Sequence, residues 1–225
     1  MDAKRLAGEK AVEYVEDGMI LGLGTGSTVY WSILKLAEFV QRGLTVSCVA
    51  TSKKTEVLAT ELGIQLRDIF ECRGLDLTID GADEIDENFN LIKGGGGALF
   101  REKMVASISR RFIVVVDDSK CVSTLGRFVL PVEIVQFGWN ITSNRVAELD
   151  CVPKLRMEKD VPFVTDNGNY ILDCTFNTIN DPQGLDRKLN AITGVVDNGL
   201  FVGMADTAIV GGQDSVIAKV NNTRL

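Results

Sequence analysis

The 225-residue sequence contains no histidine. That excludes a Ser-His-Asp or Cys-His nucleophile system and the usual histidine-bound zinc and two-histidine iron sites, so any acid–base step must use Asp, Glu, Lys, Tyr, Cys or water. No stretch approaches the roughly 20 apolar residues that cross a bilayer. The start MDAKRLAGEKAVEYVEDG is amphipathic and has no apolar signal-peptide core, so the chain reads as cytoplasmic and not membrane-bound. A basic run is also missing. Lys+Arg number 24 against 31 Asp+Glu, a net charge of -7, which argues against nucleic acid or an anionic membrane as partner. The five cysteines, Cys48, Cys72, Cys121, Cys151 and Cys174, form no C-x-x-C pair and are odd in number. They read as reduced thiols, and no metal site is expected.

What is present is an alternation of short β-rich runs and amphipathic segments. Met19 to Leu23, Thr45 to Ala50, Leu75 to Ile79 and Phe112 to Val116 predict strands. Between them, Ala3, Leu6, Ala7, Ala11, Tyr14 and Val15 repeat at helical spacing, as do Val29, Ile33, Leu36, Ala37 and Val40, and then Val57, Leu58 and Leu62. This order predicts right-handed βαβ units around an open, mostly parallel sheet with flanking helices, a Rossmann-like α/β fold. From about Phe128 the pattern changes. Val129 to Val135 predicts a strand, Thr142 to Leu149 a helix, Pro153 to Met157 a weak strand, and Phe163 to Asp173 a hairpin turning at Asp166-Asn167-Gly168. Asp181 to Ala191 predicts a helix and Val195 to Val202 a strand. The order β-α-β-β-α-β is that of a smaller α+β, ferredoxin-like domain. The expected division is 1–127 with 206–225 for the α/β domain and 128–205 for the small one, with Thr207 to Val210 returning to the first sheet.

In open α/β sheets, ligands bind beyond the carboxyl ends of the parallel strands. Gly22-Leu23-Gly24-Thr25-Gly26-Ser27-Thr28 follows the first strand and opens a helix, so backbone N–H groups and hydroxyls can receive a phosphate there. Thr51-Ser52-Lys53-Lys54 follows the second. Asp80-Gly81-Ala82-Asp83-Glu84 follows the third, then Lys93-Gly94-Gly95-Gly96-Gly97 and a helix beginning near Ala98. Asp117-Asp118-Ser119-Lys120 follows the fourth. Phosphate-binding groups and carboxylates on one rim suggest acid–base chemistry on a small phosphorylated molecule. Glu102 stands on the edge of the apolar stripe marked by Ala98 and Val105, partly desolvated, which suits a general base.

Each feature also has a plainer reading. Glycine-rich turns close without ligands, and Asp80 and Asp83 fit turn or N-cap roles. Asp86 and Glu87 read as solvated, Lys53, Lys54 and Lys120 as surface charges, and Glu102 as a local partner of Arg101 or Lys103. A dinucleotide fingerprint fails, because Ser27 stands where the third glycine belongs and no acid ends the second strand. There is also no G-x-x-x-x-G-K-[ST] phosphate loop.

Taken together, GLGTGST at 22–28, DGADE at 80–84, KGGG at 93–96, REK at 101–103 and TDNGN at 165–169 resemble, in order and spacing, the type A ribose-5-phosphate isomerases. The resemblance spans nearly the whole chain. Departures are small: Asp86-Glu87 after DGADE, and Gly97, where some members carry alanine. It implies an aldose–ketose isomerase of the pentose phosphate pathway that interconverts D-ribose 5-phosphate and D-ribulose 5-phosphate through an enediolate, without metal or organic cofactor, usually as a homodimer. Glu102 is implied as the proton acceptor. Lys93 with the Gly94 to Gly96 amides would face the intermediate's oxyanion, and Asp80 and Asp83 would handle hydroxyl protons and ring opening. Thr25, Gly26, Ser27, Thr28, Gly81, Ala82, Gly94, Gly95, Gly96 and Lys120 match substrate-binding positions. Two other classes share parts of the pattern: sugar-phosphate sensor domains, which need no base at Glu102, and acyl or coenzyme A transferases, which the closely spaced glycine loop and Glu102 fit less well.

Overall fold

The computed structural model describes residues 2–213 and 215–222. Met1, Asp214 and 223–225 of the expected α/β domain lie outside the described residues. In chain order the elements are α1 Ala3–Ala11, β1 Ile20–Leu23, α2 Val29–Gln41, β2 Ser47–Ala50, α3 Lys53–Glu61, β3 Leu77–Gly81, β4 Glu84–Ile85, β5 Leu91–Ile92, α4 Leu99–Ser107 and β6 Phe112–Asp117. There follow β7 Leu130–Ile134, α5 Trp139–Ala147, β8 Val152–Leu155, β9 Met157–Glu158, β10 Val161–Pro162, β11 Tyr170–Thr175, α6 Pro182–Asn190, β12 Val195–Asn198, β13 Leu200–Phe201, β14 Thr207–Gly211 and β15 Val216–Val220. They form two compact units. One takes the described residues of Met1–Ala82, Arg101–Cys121 and Gly203–Leu225, the other Asp83–Phe100 and Val122–Val202.

The first unit is built on a six-stranded sheet of order β15-β14-β6-β3-β1-β2, parallel except for β15. β6 is apolar and buried from Phe112 to Val116, as a strand covered on both faces must be. The run Thr207 to Val210 does return to this sheet, parallel to β6. The sequence reading passed over the edge strand β15, whose residues are mostly exposed and carry no buried alternation. α1 starts at Asp2, whose side chain accepts from the Lys4 N–H at 3.0 Å, and its helical pattern ends in a 3₁₀ turn over Val12–Tyr14. α1 approaches α2 closely because Gly8 has no side chain: a Cβ there would lie 2.6 Å from the Thr28 carbonyl oxygen and 2.8 Å from Trp31 Cβ.

Within this core Cys48 is fully buried, and burial pushes its thiol from 9.0 up to about 12. Below pH 9 the thiol is neutral folded or unfolded, so folding gains no pH dependence from it. As pH rises from 9.0 towards about 12 the unfolded chain alone loses this proton, and stability declines. Urea unfolding of the parent and of Cys48→Ala at about pH 8 and about pH 10.5 should give a smaller decline for the variant.

The second unit contains the ferredoxin-like module, a four-stranded antiparallel sheet of order β12-β7-β11-β8 with α5 and α6 in the expected places. α6 begins as its Asp-Pro boundary predicts: Asp181 accepts from the Gly184 N–H at 2.8 Å and Pro182 occupies the first turn. This unit also includes Asp83–Phe100, grouped above with the α/β domain, because β5 pairs with β4 and β13 in a three-stranded sheet. Two-residue strands leave no periodicity to read.

Three further element boundaries differ from expectation. α5 starts at Trp139, three residues before Thr142. The hairpin Phe163 to Asp173 supplies only its second strand, since β11 pairs with β7 and β8 while 163–169 forms a loop. The expected strand Val195 to Val202 is broken. Buried Asn198 accepts from the Leu200 N–H at 2.9 Å and donates to Asp186 and Asn190, turning the chain at Gly199 from one sheet into the next.

Candidate active site

In the first unit the glycine-rich loop after β1 is shaped around a carboxylate. Asp80, in β3, is fully buried, and its Oδ1 accepts from Thr25 N–H at 3.1 Å and Gly81 N–H at 2.7 Å. A Cβ on Gly24 would sit 2.0 Å from that oxygen, so only glycine lets the loop pass it. Gly26 has φ +129°, an ordinary conformation only for glycine. Beyond this, Gly26 and Ser27 are exposed and Thr28 is buried at the N-cap of α2, where its side chain caps no backbone group.

The hydroxyls of this loop are organised from the neighbouring strand. Thr25 Oγ1 lies 2.9 Å from Thr51 Oγ1, 2.7 Å from Ser52 Oγ and 3.1 Å from Thr55 Oγ1, and Thr55 donates to the Gly24 carbonyl at 2.9 Å. Ser52 also caps α3 by accepting from Thr55 N–H. Lys53 and Lys54, at the start of α3, are exposed. One cation escaped the sequence reading: Lys4 Nζ on α1 lies 3.1 Å from Ser27 Oγ. Nothing in its spacing marks it, since the contact depends on how α1 packs on α2.

Also in this unit, Glu102 is 4% exposed, with Val105 one turn on at 1%, so the carboxylate lies deeper than the stripe-edge position implied. Val105 packs with Val49 and Leu75. Lys120 is half-buried in the 3₁₀ turn Asp118–Lys120, which Asp117 caps through the Ser119 N–H at 3.1 Å. Asp80 is thus neither a turn residue nor a helix cap.

In the second unit Asp83 ties down the other glycine loop. Its Oδ2 accepts from Gly95 N–H at 2.8 Å, while its own N–H donates to the Ile92 carbonyl. Gly94 and Gly97 have φ +100° and +81°, and Gly97 N–H closes a turn onto the Gly94 carbonyl at 3.0 Å. Gly95 and Gly96 are exposed. Lys93 is 2% exposed, its backbone N–H bonded to the Gly199 carbonyl and its ammonium 5.3 Å from the Phe201 ring centroid, a cation–π geometry. Ala82 is half-buried in the short link between the two aspartates.

The TDNGN segment has a structural task. Thr165 Oγ1, Asn167 Nδ2 and Asn169 Nδ2 donate to one oxygen of buried Glu133, at 3.0, 3.1 and 2.9 Å. Three donors from one loop replace the water that this one oxygen loses on burial. No group of three or more His, Cys, Asp or Glu side chains that could hold a metal ion occurs among the described residues.

An open α/β sheet, an inserted ferredoxin-like module and these loops place the chain, by comparison with known proteins, among the isomerases. The family model for ribose 5-phosphate isomerase A (phosphoriboisomerase A) matches residues 47–215. A ribose-5-phosphate isomerase A from Bacillus mycoides is 54% identical over 217 residues, 96% of this chain and 98% of that protein, and one from Oceanobacillus iheyensis is 50% identical over 96% of this chain and 97% of its own length. Two solved structures superpose at TM-score 0.95. The Plasmodium falciparum ribose 5-phosphate isomerase is 39% identical, with 98% of each chain covered. A D-ribose-5-phosphate isomerase in complex with phospho-erythronic acid is 38% identical, with 97% of this chain and 98% of that one covered. The chain belongs to the ribose 5-phosphate isomerase A family.

Proposed function

We propose that this protein interconverts D-ribose 5-phosphate and D-ribulose 5-phosphate in the pentose phosphate pathway. The observation that carries the reading is the full-length match to proteins of that name, in a chain that keeps a buried carboxylate at Glu102. Moving a carbonyl between C1 and C2 requires a proton to leave one carbon and return to its neighbour through an enediolate. Glu102 takes the proton and gives it back on the same face. Lys93 and the N–H groups of Gly94 and Gly96 meet the negative oxygen that develops in between, where fixed donors are worth most, while the Gly95 N–H between them is held by Asp83. Asp80 and Asp83 share the hydroxyl protons and ring opening. Thr25, Gly26, Ser27, Thr28, Gly81, Ala82 and Lys120 hold the substrate, and Lys4 adds a cation to the Ser27 hydroxyl.

A relative bound to phospho-erythronic acid supports the intermediate, because a carboxylate carries two coplanar oxygens on one carbon, much as an enediolate carries two across a double bond. The reaction as written needs no metal and no organic cofactor. A homodimer is the proposed assembly. Supporting it are large apolar side chains left exposed in the small module, Phe137 at 94% and Ile141 at 59%. A cytoplasmic location is the proposed compartment, consistent with the free cysteines among the described residues. No helix there is long and apolar enough to cross a membrane.

Proton NMR of ribose 5-phosphate in D2O with catalytic protein and a chelator tests this directly. The expected result is ketose signals with deuterium entering at C1 or C2. An unchanged spectrum from folded protein that still binds the sugar phosphate would turn the reading to a sensor. Activity lost to the chelator and restored only by a divalent ion would contradict the metal-free scheme.

A further inference from the structure

A loop of four consecutive glycines has little intrinsic reason to hold one shape, because glycine gives up more backbone freedom on ordering than any other residue. Arg156, between β8 and β9, supplies a reason. Its Nη1 donates to the Gly94 carbonyl at 2.9 Å and reaches the Gly95 carbonyl at 3.3 Å. The same guanidinium is gripped from its other edge by Asp173 of β11, through Nε at 3.0 Å and Nη2. Its carbon lies 5.8 Å from the Phe163 ring centroid. That ring in turn covers Gly97, where a Cβ would come within 2.4 Å of it. Alanine at 97 is therefore not a neutral change in this chain.

A trans peptide points its C=O and N–H in opposite directions, and no peptide here is cis. The Gly94–Gly95 peptide is held at both ends, carbonyl on Arg156 and N–H on Asp83. The Gly95–Gly96 peptide is held at its carbonyl, which turns the Gly96 N–H away from the arginine. We infer that Arg156, locked by Asp173, is a positioning residue that fixes the carbonyl edges of the Lys93–Gly97 loop so that the Gly96 N–H stays aimed at the substrate oxygen. The inference rests on the proposed use of that loop as the oxyanion donor. A lysine cannot replace the arginine, since the planar fork is needed to span two carbonyls and a carboxylate at once.

Steady-state kinetics of purified variants tests it. Arg156→Met should lower kcat about 10- to 100-fold, the scale set by misplacing a reacting group by about 1 Å. KM for ribose 5-phosphate and the inhibition constant of inorganic phosphate should stay within about threefold, because oxyanion contacts tighten only in the transition state. Arg156→Lys should not restore kcat. Asp173→Asn, which keeps the guanidinium but loosens its grip, should lower kcat in the same direction, and the double variant should be no worse than Arg156→Met alone. Near-parental kcat in Arg156→Met beside a crippled Lys93→Met overturns the inference and leaves the functional reading standing. A fully active Lys93→Met removes the loop from the oxyanion role, and the inference falls while the isomerase reading stands. Equal losses in kcat, KM and phosphate inhibition mean general loosening and also overturn it. If Arg156→Met does not fold, Asp173→Asn decides, and unchanged kcat there is fatal to the inference.

Discussion

Glu102→Gln is expected to lower kcat for ribose 5-phosphate isomerisation by about 10² to 10⁴, the range for a positioned acid–base group, while the fold and phosphate affinity stay near parental. Glutamine keeps the shape of glutamate, so the helix Leu99–Ser107 and its packing through Val105 have nothing to accommodate. At 4% exposure the exchange keeps the side-chain volume that this buried position is packed around, so the fold is expected to hold. What the amide lacks is basicity: it cannot take a proton from carbon. Activity and stability should therefore separate cleanly, with urea midpoints alike and turnover far apart. Deuterium uptake from D2O adds a second readout, because a variant without its base should lose exchange at the substrate C–H together with net isomerisation. Near-normal turnover would remove Glu102 from the mechanism, whatever the family resemblance says.

Much of this arrangement was legible in the sequence because it rests on short-range physics. Strands Ile20–Leu23 and Phe112–Asp117 announce themselves as β-rich apolar runs, and the helix carrying Glu102 by the 3.6-residue spacing of Ala98, Val105 and the glycines before them. The Asp181-Pro182 start of α6 is a local capping signal that the structure honours in its geometry. What stayed hidden depends on contacts distant in sequence. Lys4 reaches Ser27 only because Gly8 lets one helix lie close on another. Arg156 looks like any charged residue in a weak strand until Gly94, Gly95 and Asp173 are placed around it. Asn198 lies in what reads as one continuous strand, and only its buried hydrogen bonds show why the chain turns there. The TDNGN segment was recognisable as a motif, but its role as a cap on Glu133 required the partner strand.

Gly24→Ala is expected to damage both fold and activity. Gly24 is not in the left-handed region, so alanine meets no backbone penalty there, and the whole cost is steric. Its Cβ would lie 2.0 Å from Asp80 Oδ1, 2.2 Å from Cγ and 2.6 Å from the Asp80 Cα. A carboxylate tip alone could swing aside, but the Cα belongs to β3, which is paired in register with β1 through Leu23 and Ile79. Relief must come from parting the two strand ends. That breaks the Gly24 N–H bond to the Ile79 carbonyl at 2.9 Å and the Thr25 N–H bond to Asp80 at 3.1 Å, leaving a fully buried carboxylate with one donor fewer. Overpacking costs about 1–3 kcal/mol, and loss of a hydrogen bond to a buried charge adds about 1–3 kcal/mol more. Because the loop thus displaced is the one proposed to hold the phosphate, kcat/KM should fall by at least about 10². Gly26→Ala is the matched control: nothing lies within 4 Å of its Cβ, but its φ of +129° is one that alanine rarely adopts. It should pay backbone strain of about 1–2 kcal/mol without parting the strands. Urea denaturation and ribose 5-phosphate kinetics on both variants separate the two costs, and a Gly24→Ala protein no worse than Gly26→Ala would mean that Asp80 does not hold this loop by close packing.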